Sequence, residues 1–173
     1  MKDRHGKVLE LLDAEGPRLH GLLARLTRCE DAVGDLMQEL VLRLCRSGGL
    51  ERARDPFAYA YRAATNLAFE WRRSRRTNVR PLDRDCDSVA VTAGPIGAAM
   101  QEEQLQRMLD ATAQLKELAR DAVVMRFIEQ ASYEEIGRRL GKKPQHVRSV
   151  ISKALAQLRA LLADDGDSEV DGG

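Results

Sequence analysis

Aromatic residues are scarce in this 173-residue chain, which has one Trp, three Tyr and three Phe; beside abundant Leu, Ala and Arg, that favours helices over a sheet. An all-α fold is the expectation. Cysteine is also sparse: Cys29, Cys45 and Cys86 are an odd set without a C-x-x-C, so neither a disulfide framework nor a structural zinc site is expected. Cys45 reads as a small core residue. His5, His20 and His146 are scattered and form no metal-ligand spacing. No apolar run approaches the roughly 20 residues a membrane helix needs, and the polar start, Met1 to Lys7, does not read as a signal peptide. A cytoplasmic location is expected. There is no G-x-x-x-x-G-K-[ST] loop and no nucleophile paired with a base, so the sequence points to binding without covalent chemistry and to no cofactor.

Net charge is close to zero, at +1, which argues against a general nucleic-acid coat, but the charges are unevenly placed. Arg62, Arg72, Arg73, Arg75, Arg76 and Arg80 face a lone Glu70, whereas Asp83, Asp85 and Asp87 and then Asp164, Asp165, Asp167, Glu169 and Asp171 are acidic. Basic segments aimed at phosphates and acidic ones kept away from them give this pattern. A solvated charge run accounts for any single segment equally well.

The most informative stretch runs from Ser132 to Leu162. Ser132-Tyr133-Glu134-Glu135 has the form of a capping box, so a short helix is predicted from Tyr133, with Ile136 and Leu140 on its apolar face. Gly141 supplies a left-handed C-terminal residue, and Pro144 can open the next helix without losing a needed donor. A gap of about three residues is the helix-turn-helix spacing. In the second helix Val147, Val150, Ile151, Ala154, Leu155, Leu158 and Leu162 recur at helical spacing and define the buried stripe. Gln145, Ser149, Ser152 and Lys153 then face outward, with Arg148 on the flank. Such side chains near a helix N-terminus can reach base edges and phosphates in a major groove. The pattern alone also fits a structural hairpin with a solvated outer face.

Upstream, Val8, Leu9, Leu11 and Leu12, then Leu19, Leu22, Leu23 and Leu26, predict a helical segment interrupted near Gly16-Pro17. Val33, Leu36, Met37, Leu40, Val41 and Leu44 predict the buried stripe of a second helix, which leaves Asp35, Gln38, Glu39 and Leu42 on the opposite face. After Ser47-Gly48-Gly49 a loop continues to Asp55-Pro56. The following helix is predicted to bury Phe57, Ala60, Tyr61, Ala64, Leu67, Ala68 and Trp71, and to present Tyr59, Arg62, Asn66, Phe69, Glu70 and Arg73. Exposed aromatics between arginines suit stacking on unpaired bases with phosphate contacts alongside. Packing of Tyr59 and Phe69 beneath a neighbouring helix is the alternative. Residues 78–99, with Pro81, Gly94, Pro95 and Gly97, read as a flexible linker between two small helical domains at 1–77 and 100–163. Helical signal resumes at Met100, with Leu105, Met108, Leu109 and Thr112 on one face, then Ala119, Val123, Val124 and Phe127. The acidic tail 164–173 is expected to be disordered.

With these residues laid out, the chain resembles the extracytoplasmic-function (ECF) branch of the bacterial sigma-70 family of transcription initiation factors. Asp35-Leu36-Met37-Gln38-Glu39 is similar to the family's D-L-x-Q-E helix, and the segment Pro56 to Ala68 follows its P-x-A-W-L-Y-R-I-A-R-N-L-A pattern, with Tyr59 in place of Trp and Thr65 in place of Arg. Ser132 to Gly137 resembles S-Y-E-E-I-A, and Val147-Arg148-Ser149 resembles V-K-S; Lys143 stands where Ser or Thr usually caps the recognition helix. The resemblance implies core RNA polymerase and promoter DNA as partners, and it leaves an anti-sigma factor open as a third. It assigns Asp35, Gln38, Glu39 and Leu42 to polymerase docking. Tyr59, Arg62, Asn66, Phe69 and Arg73, with the loop from Ser47 to Asp55, would recognise and open the −10 element. Lys143, Gln145, Arg148, Ser149, Ser152 and Lys153 would read the −35 element, Lys143 through phosphate. A conventional helix-turn-helix regulator, binding duplex without polymerase, is the competing reading.

Overall fold

The computed structural model describes residues 2–77 and 95–167, which form helices and no strand. Residues 78–94 of the expected linker and 168–173 of the expected tail lie outside the described residues. The chain divides into two compact units, Met1–Ala90 and Val91–Gly173.

In the first unit, α1 (Lys2–Thr27), α2 (Glu30–Ser47) and α4 (Pro56–Thr77) pack pairwise, with the short α3 (Gly49–Arg52) tucked against all three. The expected break near Gly16-Pro17 does not occur, because α1 runs straight through Pro17. A proline inside a helix removes one backbone donor. Here the proline lies on the exposed side, where water can serve the vacated carbonyl, while Leu19, Leu22, Leu23 and Leu26 are fully buried on the opposite side. Each such leucine contributes about 2 kcal/mol of transfer free energy, enough to carry the helix past the defect. Helix α4 starts where Asp55-Pro56 indicated: Asp55 Oδ1 accepts the Ala58 amide at 3.0 Å as an N-cap bond. The segment expected as a loop contains α3, pinned by Leu50, which is buried.

Two stripes differ from expectation. On α2 only Val33, Leu36, Leu40 and Leu44 are buried, while Met37 and Val41 are half-exposed at the stripe's edge. On α4 the stripe is wider, since this helix meets both α1 and α2. Phe69 and Thr65 are completely buried and Arg72 nearly so, whereas Trp71 is only half-buried and lies against Arg75. Cys29 is also buried and is disulfide-bonded, contrary to the expectation. Cys45 is a free thiol of intermediate exposure, so it is not the core residue expected.

In the second unit, α5 (Pro95–Ala113), α6 (Glu117–Phe127), α7 (Tyr133–Leu140) and α8 (Pro144–Asp167) surround a core that includes Ala111, Leu115, Val123, Ala154 and Leu158. Helix α5 begins at Pro95 rather than near Met100, a first-turn position that tolerates a residue without an N–H. Of the residues that periodicity placed on one face of α5, Leu109 and Thr112 are buried while Leu105 and Met108 are exposed, and Phe127 at the end of α6 is exposed as well. Helix α8 runs through Asp167, so the first acidic residues of the tail are helical rather than disordered. Extending an existing helix adds a hydrogen bond for each residue fixed, which makes such a continuation inexpensive.

Candidate nucleic-acid and protein interfaces

Three surfaces collect the residues singled out by sequence. On α2, Asp35, Gln38 and Leu42 are exposed and Glu39 is half-exposed. Leu42 is an apolar side chain 45% exposed, and with Met37, Gln38 and Val41 it lines a shallow trough of about 380 Å³. The half-exposed Met37 and Val41, expected in the core, are therefore the apolar floor of this outer face. Glu39 does not stand alone, because Arg43 Nε donates to it at 3.0 Å and Arg43 Nη2 donates to Glu70 on α4 at 2.9 Å. Hydrogen bonds from the guanidinium to Glu70 and then Glu39 raise the Arg43 pKa further above its ordinary value. The i, i+4 spacing of Glu39 and Arg43 was a signal for this pair, but the reach to Glu70 was not visible in sequence.

On α4, Arg62 and Arg73 are exposed, and Tyr59 and Asn66 are half-buried. Phe69 is a correction: with its ring fully enclosed it cannot stack on a base, and it belongs to the core of the first unit. Tyr59 and Asn66 instead help to line a cavity of about 390 Å³, together with Arg43, Leu44, Arg46, Ser47 and Ala63. Arg43 and Arg46 were not assigned to this surface from sequence, whereas Ser47 opens the loop that the resemblance assigned to it; all three come from the end of α2. Arg72, one of the basic run, faces inward, and its Nη1 donates to the carbonyls of Leu26 and Thr27 at 3.0 and 3.3 Å. It closes the C-terminus of α1, where Arg28 adopts a positive φ of 55°, and it is not available to phosphate.

The third surface is the helix-turn-helix. The capping box is present, with Ser132 Oγ accepting the Glu135 amide at 3.2 Å and Glu135 Oε2 accepting the Ser132 amide at 2.8 Å. The Ser132 backbone N–H, and after it the Ser132 hydroxyl, hold the Glu135 carboxyl below its ordinary pKa. Gly141 has φ +64°. At Gly137 a Cβ would run into the Lys142 carbonyl, whose own amide donates to Gly137 O at 2.8 Å; only glycine allows the turn to fold back this closely. Lys143, Gln145, Arg148, Ser149, Ser152 and Lys153 are all exposed, opposite the buried Val147, Ile151, Ala154 and Leu158. Tyr133, expected only to start α7, carries both Arg126 and Arg148 against its ring. Arg126 Nη1 also donates to the Ala131 carbonyl at 3.0 Å. Among the described residues no cluster of His, Cys, Asp and Glu could hold a metal ion, and no helix is long and apolar enough to cross a membrane.

A capped helix-turn-helix with a polar, basic outer face on its second helix places the chain among the helix-turn-helix DNA-binding proteins. The family models are more specific: residues 11–77 match sigma-70 region 2, and residues 111–160 match sigma-70 region 4. The chain is 31% identical to RNA polymerase sigma factor CarQ of Myxococcus xanthus over 157 residues, covering 90% of this chain and 88% of that one. It is 33% identical to ECF RNA polymerase sigma factor SigE of Mycolicibacterium smegmatis over 156 residues, covering 89% of this chain and 61% of that one. The same fold occurs in the sigma factor RpoE of Bartonella quintana, crystallised in complex with the anti-sigma factor NepR, with a TM-score of 0.50 and 23% identity over 99% of this chain and 100% of that one. The chain belongs to the sigma-70 family of RNA polymerase sigma factors, in its ECF branch.

Proposed function

We propose that the chain binds core RNA polymerase through the outer face of α2, opens the −10 element with α4 and the segment before it, and reads the −35 element with α8. The observation that carries this reading is the exposure of two separate constellations on one chain. Asp35, Gln38 and Leu42 stand out from a helix whose core side is already satisfied, and Gln145, Arg148, Ser149, Ser152 and Lys153 stand out from the second helix of a helix-turn-helix. A face of mixed carboxylate, amide and leucine suits a protein partner. A face of Gln, Ser, Arg and Lys suits duplex DNA, with Lys143 at the helix entrance placed for phosphate.

In this reading residues 1–77 act on polymerase and the −10 strand, residues 100–163 act on the −35 duplex, and 78–99 connect them. Tyr59 and Asn66, on the wall of the α2–α4 cavity, meet an unpaired base, while Arg62 and Arg73 meet phosphates. Strand separation is driven by capture of unpaired bases and by the polymerase, without a nucleotide cofactor or covalent step, and the work is done in the cytoplasm. An anti-sigma protein is a third partner within the proposal. The test is run-off transcription from a genomic promoter library with core polymerase added. Promoter-specific transcripts that require both this chain and core are expected. Tight palindromic duplex binding by the chain alone, with no transcript, would replace the proposal with the regulator reading.

A further inference from the structure

The turn between α1 and α2 is braced by hydrogen bonds, and a covalent bond starts from it. Cys29, the residue before α2, is 4% exposed and disulfide-bonded. Its amide donates to Thr27 Oγ1 at 3.3 Å, that hydroxyl donates to the Leu23 carbonyl at 2.8 Å, and Arg72 Nη1 from α4 donates to the Leu26 and Thr27 carbonyls. Whatever is bonded to Cys29 is therefore fixed to the frame of the first unit. Such burial keeps the sulfur from a second copy of the chain, which favours a bond within one chain. Cys45 is a free thiol, and the sequence holds one other cysteine, Cys86. Positions 29 and 86 both fall in the first compact unit, Met1–Ala90.

We propose that Cys29 and Cys86 form a reversible disulfide that shortens the connection between the two units, and so decides whether one chain can reach both promoter elements. The inference rests on the reading that the first unit acts at −10 and the second at −35. Disulfides in cytoplasmic proteins are usually transient and redox-sensing rather than structural. The step is thiol–disulfide exchange. On oxidation the two thiols give up two protons and two electrons and join as S–S, while the S–S bond of a disulfide oxidant breaks to two thiols; a dithiol reductant reverses the exchange.

Reach determines the effect. Helix α4 ends at Thr77 and α5 begins at Pro95, so 17 residues join them in the reduced chain, whereas with Cys86 tied to Cys29 only the eight residues 87–94 remain. At no more than about 3.6 Å per residue, these stretches span at most about 60 Å and about 30 Å. A compact unit of this size has a radius of roughly 15 Å, so the centres of the two units can stand roughly 90 Å apart when reduced and roughly 60 Å apart when oxidised. The −10 and −35 elements are centred about 25 base pairs apart, roughly 85 Å at 3.4 Å per base pair. The reduced chain can span that distance, and the oxidised chain cannot. A tether too short for its two sites forfeits the whole gain from linking them.

The experiment oxidises the full chain with glutathione disulfide, removes the oxidant, adds core polymerase and measures run-off transcription from a promoter carrying both elements, beside the same chain reduced with dithiothreitol. Peptide mass spectrometry after blocking free thiols maps the bond. The oxidised chain is expected to carry Cys29–Cys86 and to transcribe at least roughly tenfold less than the reduced chain, the avidity of the second site being lost, while its core-dependent binding of a single-stranded −10 oligonucleotide is unchanged. Cys86→Ser, which leaves the buried Cys29 in place, is expected to transcribe equally well after either treatment, and Cys45→Ser to follow wild type. Ten Gly/Ser residues inserted after Ser88 add up to about 35 Å of reach and are expected to restore transcription by the oxidised chain without removing the bond. Absence of core-dependent transcripts from the reduced chain overturns the sigma-factor reading and this inference together. Three results overturn this inference alone: Cys29 bonded to another chain or to Cys45, a Cys29–Cys86-bonded chain that transcribes like the reduced one, or a Cys86→Ser chain that loses activity on oxidation as wild type does.

Discussion

The guanidinium carbon of Arg148 lies 4.9 Å from the centroid of the Tyr133 ring, so a residue of the second helix of the helix-turn-helix is held by the first residue of the preceding helix. Arg126 lies 4.7 Å from the same centroid. A cation resting on an aromatic face gives up rotamer freedom before DNA arrives, and its N–H edge is left for an acceptor. In exposed settings such a contact is worth about 0.5–1 kcal/mol. Tyr133→Leu is therefore expected to weaken binding of a −35 duplex by roughly two- to fivefold, with Tyr133→Phe near wild type. Fluorescence anisotropy with the polymerase-bound chain measures this, and equal affinities for all three proteins would remove any role for the stack.

Lys143 and Arg148 are expected to behave differently. Arg148→Ala should cost on the order of 1–3 kcal/mol on the preferred −35 sequence and blur discrimination there. Lys143→Ala should weaken all sequences alike and lower the salt slope by about one phosphate contact. A −35 variant series at two salt concentrations checks both. A change of sequence preference in Lys143→Ala, with only a general loss in Arg148→Ala, would show that α8 enters the groove the other way round.

The double variant Asp35→Ala/Gln38→Ala removes two exposed side chains from a helix whose buried residues are untouched. Stability is expected to change by no more than about 0.5 kcal/mol per site, while affinity for core polymerase falls. Thermal denaturation and a core-binding titration separate the two quantities. Wild-type affinity for core would remove these residues from the docking surface.

Arg72→Leu keeps much of the bulk of a 4% exposed side chain but leaves the Leu26 and Thr27 carbonyls without this donor. A loss on the order of 3 kcal/mol is expected from urea denaturation, since hydrogen bonds from a charged donor are lost inside the fold. Arg73→Leu, on the exposed face, should leave stability nearly unchanged and affect DNA binding instead.

Glu135 links pH to the helix-turn-helix. Its carboxyl is held below the ordinary value by the Ser132 amide and hydroxyl, so the folded state binds its proton less readily than the unfolded state. The capping contribution is fully present above the ordinary glutamate pKa and is lost as the pH falls through the depressed folded value. Glu135→Gln should lack this acid-side component while keeping an acceptor for the cap. Melting curves of the two proteins are expected to converge on acidification. A constant difference between them would show that the carboxylate charge contributes nothing to the cap.

The C-terminal half of the interface was readable because its signals are local: Ser132, Glu135, Gly141 and Pro144 act within a few residues of one another, and α8 keeps one uninterrupted stripe. The N-terminal half was less readable because packing there comes from several directions. Phe69 looked outward on a single-face wheel, yet α4 is covered by two helices and the ring is enclosed. Arg72 sits in a run of arginines, and nothing in the run distinguishes the one that turns inward to cap α1. The cavity wall joins Arg46 and Ser47 of α2 to Tyr59 and Asn66 of α4, a juxtaposition that no periodicity encodes.

Pro17 gives α1 an uneven resistance to opening. The carbonyl one turn before it has no intrahelical amide to receive, so the helix is divided at that point although its path is continuous. The N-terminal portion is anchored through Val8 and Leu11, while the C-terminal portion carries four completely buried leucines. Amide hydrogen exchange should therefore show a step at residue 17, with fast, sub-global opening before it and exchange close to the rate of whole-domain unfolding after it.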